Sequence, residues 1–134
     1  VLSAQIFHNN KDMKQFFSDE ERLVIKEAIE DHRASANHQP RSDYGKIISS
    51  ADRSTSVEDF LRRTHAYTLK HNPNSTVDEM LERAYNHTIE KYGNNGYAKH
   101  YVVDNDYVEF RNKILELIND KEKFNYKYLQ TNNI

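Results

Sequence analysis

Two side chains in the first half of the chain have the types and spacing to share a divalent ion. His32 follows Ile25 by seven residues, Ala28 by four and Ile29 by three, so on a helix it points to their apolar side. Asp52 follows Ile48 by four and Tyr44 by eight and should project toward an apolar side in the same way. A carboxylate taken out of water costs several kcal/mol unless something pairs with it. A divalent cation would pair with both residues, since imidazole and carboxylate are ordinary ligands of zinc, iron and manganese. The same spacing also fits a hydrogen-bonded core histidine and a helix-end carboxylate paired with Arg33 or Arg53. Arg33, Lys46 and Arg53 flank the two residues and could neutralise a phosphate, as a point charge or as forked donors. They equally fit a solvated helix face, and Arg41, in a loop, reads as solvent-exposed.

Other chemistry finds less support. His65, between Leu61 and Leu69, and His87, seven after Met80, read as packing residues. His8, His38, His71 and His100 lie in breaks or polar surroundings, with no metal-ligand spacing beside them. Ser49 and Ser50 lack the glycine-framed turn of a serine nucleophile. No glycine-rich phosphate loop exists, because the three glycines come no closer than Gly93 and Gly96. With no cysteine, thiol catalysis, disulfides and thiolate zinc sites are excluded, which fits a reducing cytosol. Nineteen Lys and Arg against 21 Asp and Glu leave a net charge of -2, with no bulk attraction to nucleic acid or anionic membranes. The late tyrosines (Tyr97, Tyr101, Tyr107, Tyr126 and Tyr128) therefore read as helix-packing residues with wet hydroxyls rather than a base-stacking platform. No apolar run approaches the roughly 20 residues that span a bilayer, and the expected location is cytoplasmic.

The elements that must position these residues are helices. At 134 residues the chain has room for one domain, with a modest core because 37% of residues are hydrophobic. Three Gly and two Pro argue against a sandwich or barrel. Ser18 and Glu21 form a capping box that opens a helix through His32, and a polar loop runs from Ala34 to Arg41. Tyr44, Ile47, Ile48 and Ala51 mark a short helix ending near Asp52 and Arg53. Ser56 caps a third helix, and the stretch from His71 to Ser75, with Pro73, breaks it. Thr76 and Glu79 form another capping box, and Gly93 is expected to end that helix as a left-handed cap. Asp104 caps the next helix, and Asn119-Asp120 begins a last aromatic one. The expectation is a single all-helical domain with loops near 34–42, 72–75 and 93–104.

The strings Ile-Glu-Asp-His-Arg-Ala-Ser (29–35) and Tyr-Gly-Lys-Ile-Ile-Ser-Ser-Ala-Asp-Arg (44–53) resemble the later part of HD-superfamily metal-dependent phosphohydrolase domains. That resemblance implies an all-α fold of about five to seven helices. In such domains a first His, a consecutive His-Asp pair and a final Asp hold a divalent metal (Fe, Mn, Mg or Zn). Asp52 is similar to the final Asp, and His32 matches a helical histidine that in some members joins a second metal or faces the site. Gly96-Tyr97-Ala98-Lys99 and Phe124 are similar to the C-terminal region of bacterial members. No His-Asp dipeptide occurs here, and Asp31-His32 is the reverse order. Residues 1–134 thus resemble the C-terminal part of such a domain without its N-terminal helices, carrying at most half of a metal shell. The implied activity is hydrolysis of a small phosphate ester or nucleotide, with this chain alone inactive. The alternative is a non-catalytic helical interaction or regulatory module. Either a second copy or the missing N-terminal segment would cover the apolar face left open; neither nucleic acid nor membrane is an expected partner.

Overall fold

The computed structural model describes residues 2–102 and 104–134. Among them the regular structure is entirely helical, as expected: α1 (Leu2–Asn9), a 3-10 turn (Met13–Gln15), α2 (Asp19–Asp31), α3 (Asp43–Ala51), α4 (Val57–His71), α5 (Val77–Tyr92), α6 (Asn105–Ile118) and α7 (Lys121–Asn132). Helix starts follow the capping residues. The Ser18 hydroxyl accepts from the Glu21 N–H while the Glu21 carboxylate accepts from the Ser18 N–H, and Thr76 and Glu79 do the same. Ser42, Ser56, Asp104 and Asp120 cap the starts of α3, α4, α6 and α7. Each such cap is worth about 1 kcal/mol. Gly93 ends α5 differently from the expectation, in an extended conformation with φ -60° and ψ 179° rather than a left-handed one. Glycine is required there by close approach, since a Cβ would stand 2.5 Å from the Ile89 carbonyl oxygen.

The helices gather into two compact units, Val1–Arg53 with Ala98–Val103 and Ser54–Tyr97 with Asp104–Ile134. The second unit is a four-helix assembly around an apolar centre. Leu61, Ala84, Ile114, Phe124 and Tyr128 are completely buried. The Tyr92 ring stands edge-on to both Phe60 and Phe110, with centroids 5.2 and 5.1 Å away. Tyr128 bonds His65 Nδ1 through its hydroxyl at 3.0 Å, and burial pushes that phenol up to about 12. His87 stacks on Phe60, and burial lowers its pKa. Both histidines are packing residues, as expected. Of the late tyrosines, Tyr107 and Tyr128 pack inside, whereas Tyr97 and Tyr126 are exposed.

The first unit is built around α2, which packs against both α1 and α3. Its buried apolar side chains, among those described, are Ala4, Ala28, Pro40 and Ala98. The stripe Tyr44, Ile47, Ile48 and Ala51, expected to face inward, is exposed. The buried side of α3 is instead Gly45, Ser49 and Ser50. Small residues win that face because the backbones come close: a Cβ on Gly45 would meet Pro40 Cβ at 3.1 Å and Ala28 Cα at 3.8 Å. Between α2 and α3 lies an open apolar groove of about 580 Å³, lined by Phe17, Val24, Ile25, Ala28, Ile29, Tyr44 and Ile48, with Glu20 and Glu21 as its polar members.

Candidate functional site

His32 and Asp52 occupy equivalent places, each ending its helix: His32 closes α2 and Asp52 closes α3. His32 is partly buried, and its Nδ1 lies 2.7 Å from the Ile29 carbonyl oxygen. A carbonyl only accepts, so Nδ1 carries the hydrogen and donates it. In the neutral ring Nε2 is then the lone-pair nitrogen, and it has no hydrogen-bond partner among the described residues. Asp52 does not project into an apolar interior as expected. It shares the outward stripe of Tyr44 and Ile48, and its side chain is 59% exposed. The spacing was read correctly, but the face it lies on is the open one.

Arg53 joins the two residues. Its side chain is 3% exposed. Nε donates to the Lys99 carbonyl at 3.0 Å, Nη2 to the Ser49 hydroxyl at 2.6 Å and Nη1 to the His32 carbonyl at 3.4 Å. The same Nη1 stands 4.0 Å from Asp52 Oδ2. One nitrogen thus faces both residues, and His32, Asp52 and Arg53 form one corner at the ends of α2 and α3. Lys46 is engaged elsewhere, with Nζ 2.9 Å from Asp43 Oδ1 on the surface. Arg33 is exposed, and its side chain has no ion pair among the described residues.

The residues missed by sequence reasoning are next door. Asp31 is completely buried at its side chain and is held by Arg41, a loop residue that is exposed as expected but is also engaged. The Arg41 backbone N–H and Nε donate to Asp31 Oδ2 at 2.9 and 3.1 Å, and Nη2 reaches Oδ1 at 2.8 Å. Nη2 also donates to Glu30 at 2.6 Å, and Nη1 is 3.5 Å from Glu27. Burial pushes the Asp31 carboxyl up, but the Arg41 hydrogen bonds and charge together outweigh it and hold the group below its usual range. Arg41 and Lys26 hold Glu30 low as well. This fork pins the end of the loop that follows His32 back onto α2. The only sequence signal for it was the acidic run Glu27, Glu30 and Asp31 with an arginine ten residues on, a pattern too common to single out.

As a metal site the corner offers two donors. No group of three or more His, Asp or Glu side chains that could hold a metal ion forms among the described residues. The two residues have donor types that metals use, but they sit on separate helix ends: an imidazole with Nδ1 tied to a carbonyl and Nε2 open on α2, and an exposed carboxylate on α3. No helix is long and apolar enough to cross a membrane among the described residues. Comparison with known proteins gives no match, whether to a family model, a curated protein or a solved structure.

Proposed function

We propose that His32 and Asp52 supply two ligands of a divalent-metal site in a phosphohydrolase that acts on a small phosphate ester or nucleotide. The observation that carries this reading is the His32 ring. Metal-binding histidines almost always donate their second ring N–H to a carbonyl, carboxylate or water, which fixes the tautomer and aims the other nitrogen. The Nδ1–Ile29 bond does this and leaves Nε2 for an Fe, Mn, Mg or Zn ion. When bound, such an ion lowers the pKa of its water toward about 7 and polarises a phosphoryl oxygen. Two ligands do not close a shell, so further donors must come from outside this pair. Arg33 is the flanking cation left to meet phosphate charge, because Arg53 is committed inside and Lys46 to Asp43.

Paramagnetic Mn2+, added well below one equivalent to the 15N-labelled chain, tests this. Selective broadening at 29–33 and 50–53 that disappears in His32→Ala and in Asp52→Asn is the expected result. Broadening scattered over surface carboxylates, or unaltered in both variants, overturns it.

A different observation favours a second reading, a helical interaction module without catalysis. The groove between α2 and α3 leaves a wide apolar surface open. Its fitting occupant is an amphipathic helix of another protein, with apolar side chains at i, i+3, i+4 and i+7 and a Lys or Arg beside Glu20 and Glu21. A synthetic Leu/Lys amphipathic peptide should shift the amides of Val24, Ile25 and Ile48 and lose its grip on Ile48→Glu. Binding unaffected by Ile48→Glu removes this reading.

A further inference from the structure

The chain leaves α5 through a turn that carries the sequence's single Asn-Gly pair, Asn95-Gly96. In such a pair the asparagine side-chain carbonyl lies one ring closure away from the following backbone nitrogen. Glycine leaves that nitrogen open to approach, because it has no Cβ to crowd it. Asn95 is exposed to water, whereas Gly96 is buried. The Gly96 N–H donates to the Gly93 carbonyl at 2.8 Å, and the Tyr97 N–H to the Glu90 carbonyl at 3.1 Å. Arg111 Nη2 adds bonds to the Tyr92 and Gly93 carbonyls, at 3.4 and 3.3 Å. A Cβ on Gly96 would stand 2.5 Å from the Lys91 carbonyl oxygen, so the backbone has no slack there.

We propose that Asn95 is a site of spontaneous deamidation whose rate is set by this turn, with Arg111 as the clamp that keeps it closed. In the reaction, solvent base takes the Gly96 amide proton and the nitrogen bonds to Asn95 Cγ. The Cγ–Nδ2 bond breaks, ammonia leaves with a proton returned from water, and a succinimide ring remains. Water then opens the ring at either carbonyl, giving aspartate or isoaspartate. Ring closure consumes the N–H that the Gly93 carbonyl holds, and the succinimide nitrogen has no hydrogen left to donate. The turn must therefore open locally before the ring can close. Isoaspartate routes the backbone through one extra carbon, which the space against Lys91 does not accommodate. Modification thus leaves a lasting negative charge and a loosened exit from α5, whereas the intact turn protects itself.

The experiment uses the fact that amide hydrogen exchange and deamidation both begin by removing the Gly96 proton. In mildly alkaline buffer, peptide mapping by mass spectrometry follows replacement of NH by O at each asparagine, in the native chain and in urea. Asn95 should convert first in urea, ahead of Asn74 in its Asn74-Ser75 pair, and at least about tenfold more slowly in the native chain. That slowing should match the protection of the Gly96 amide against hydrogen exchange to within about threefold. Arg111→Ala, with α4 and α7 amides as the folding control, should raise both rates together by about three- to tenfold, the worth of one such hydrogen bond. Arg111→Lys should recover part of the loss, and the isoaspartate product should lose protection at Gly96 and Tyr97. Equal deamidation rates in the native chain and in urea overturn the gate, as does slowing unrelated to Gly96 protection. Faster conversion of another asparagine in urea overturns the site. None of these outcomes needs a variant to fold. Unchanged rates in folded Arg111→Ala overturn the clamp.

Discussion

Buried side chains in the unit Ser54–Tyr97 with Asp104–Ile134 are mostly rings and branched aliphatics, Phe60, Leu61, Tyr92, Phe110, Ile114, Phe124 and Tyr128 among them. Among the described residues of the unit Val1–Arg53 with Ala98–Val103 they are Arg22, Asp31, Ser49, Ser50 and Arg53, with three alanines and Pro40. The two kinds of interior do different work. Burying a large apolar side chain stabilises by about 1.5–3 kcal/mol wherever it lands. A buried ion pair roughly breaks even against its desolvation, but its donors and acceptors accept few geometries. The second unit therefore holds the larger share of folding free energy, while the first fixes the directions of a few side chains and leaves its large apolar residues at the surface. The candidate ligands sit in the unit that trades stability for geometry.

That contrast can be broken at several points. The largest effect should come from Phe110→Ala, which empties a ring site in the second unit and should cost about 3–5 kcal/mol. Urea unfolding followed at α5 and α6 amides reads it, and a cost below about 1 kcal/mol would mean the ring is not core. Next is Arg41→Ala, which strands Asp31 in its buried site and should cost about 3 kcal/mol. Asp31→Ala should cost less, because Arg41 is 43% exposed and can return to water. Equal costs in denaturant titration would contradict this asymmetry.

Acid should separate the units by a smaller amount. The folded Asp31 carboxyl lies below its ordinary 3.8, so its contribution is fully present above that pH and is lost as pH falls through the lower folded value. Amide protection in α2 should decline below about pH 4 before that of α5, and Asp31→Asn should remove the difference. Matching decline in both helices, or a difference that survives in Asp31→Asn, would rule Asp31 out as the cause. The smallest effect is expected from Ile48→Ser, within about 0.5 kcal/mol in thermal unfolding, since Ile48 is 49% exposed. A loss comparable to that from a core isoleucine would show that this face is covered in solution.

Helix positions were legible because their signals are local. A Ser, Thr or Asp oxygen and the N–H groups three residues on are set by one turn of backbone, so Ser18, Ser56, Thr76, Asp104 and Asp120 announced the starts they make. Which side of α3 faces its neighbour was not legible. A periodic apolar stripe shows that a helix has two faces, but the choice between them depended on Gly45 and Ala28 meeting across a distance no spacing rule contains. His32 and Asp52 were found by pattern, and their neighbourhood was not. Arg53 read as a phosphate donor because nothing in Ala51-Asp52-Arg53 foretells a carbonyl at Lys99. The fork on Asp31 was hidden for the same reason, as its halves lie ten residues apart across a loop without regular structure.

The first unit is discontinuous in the chain, and its last stretch returns only after Tyr97. The Arg53–Lys99 bond spans 46 residues and the Ser50–Tyr101 bond spans 51. At a ribosomal pace of about 5–20 residues per second, Arg53 is made roughly two to nine seconds before its acceptor at Lys99 exists. Through that interval the guanidinium has only its nearer partners, and the corner it braces stays unfinished while α4 and α5 are being synthesised. The order of manufacture thus makes the His32–Asp52 corner a late-maturing part of the molecule.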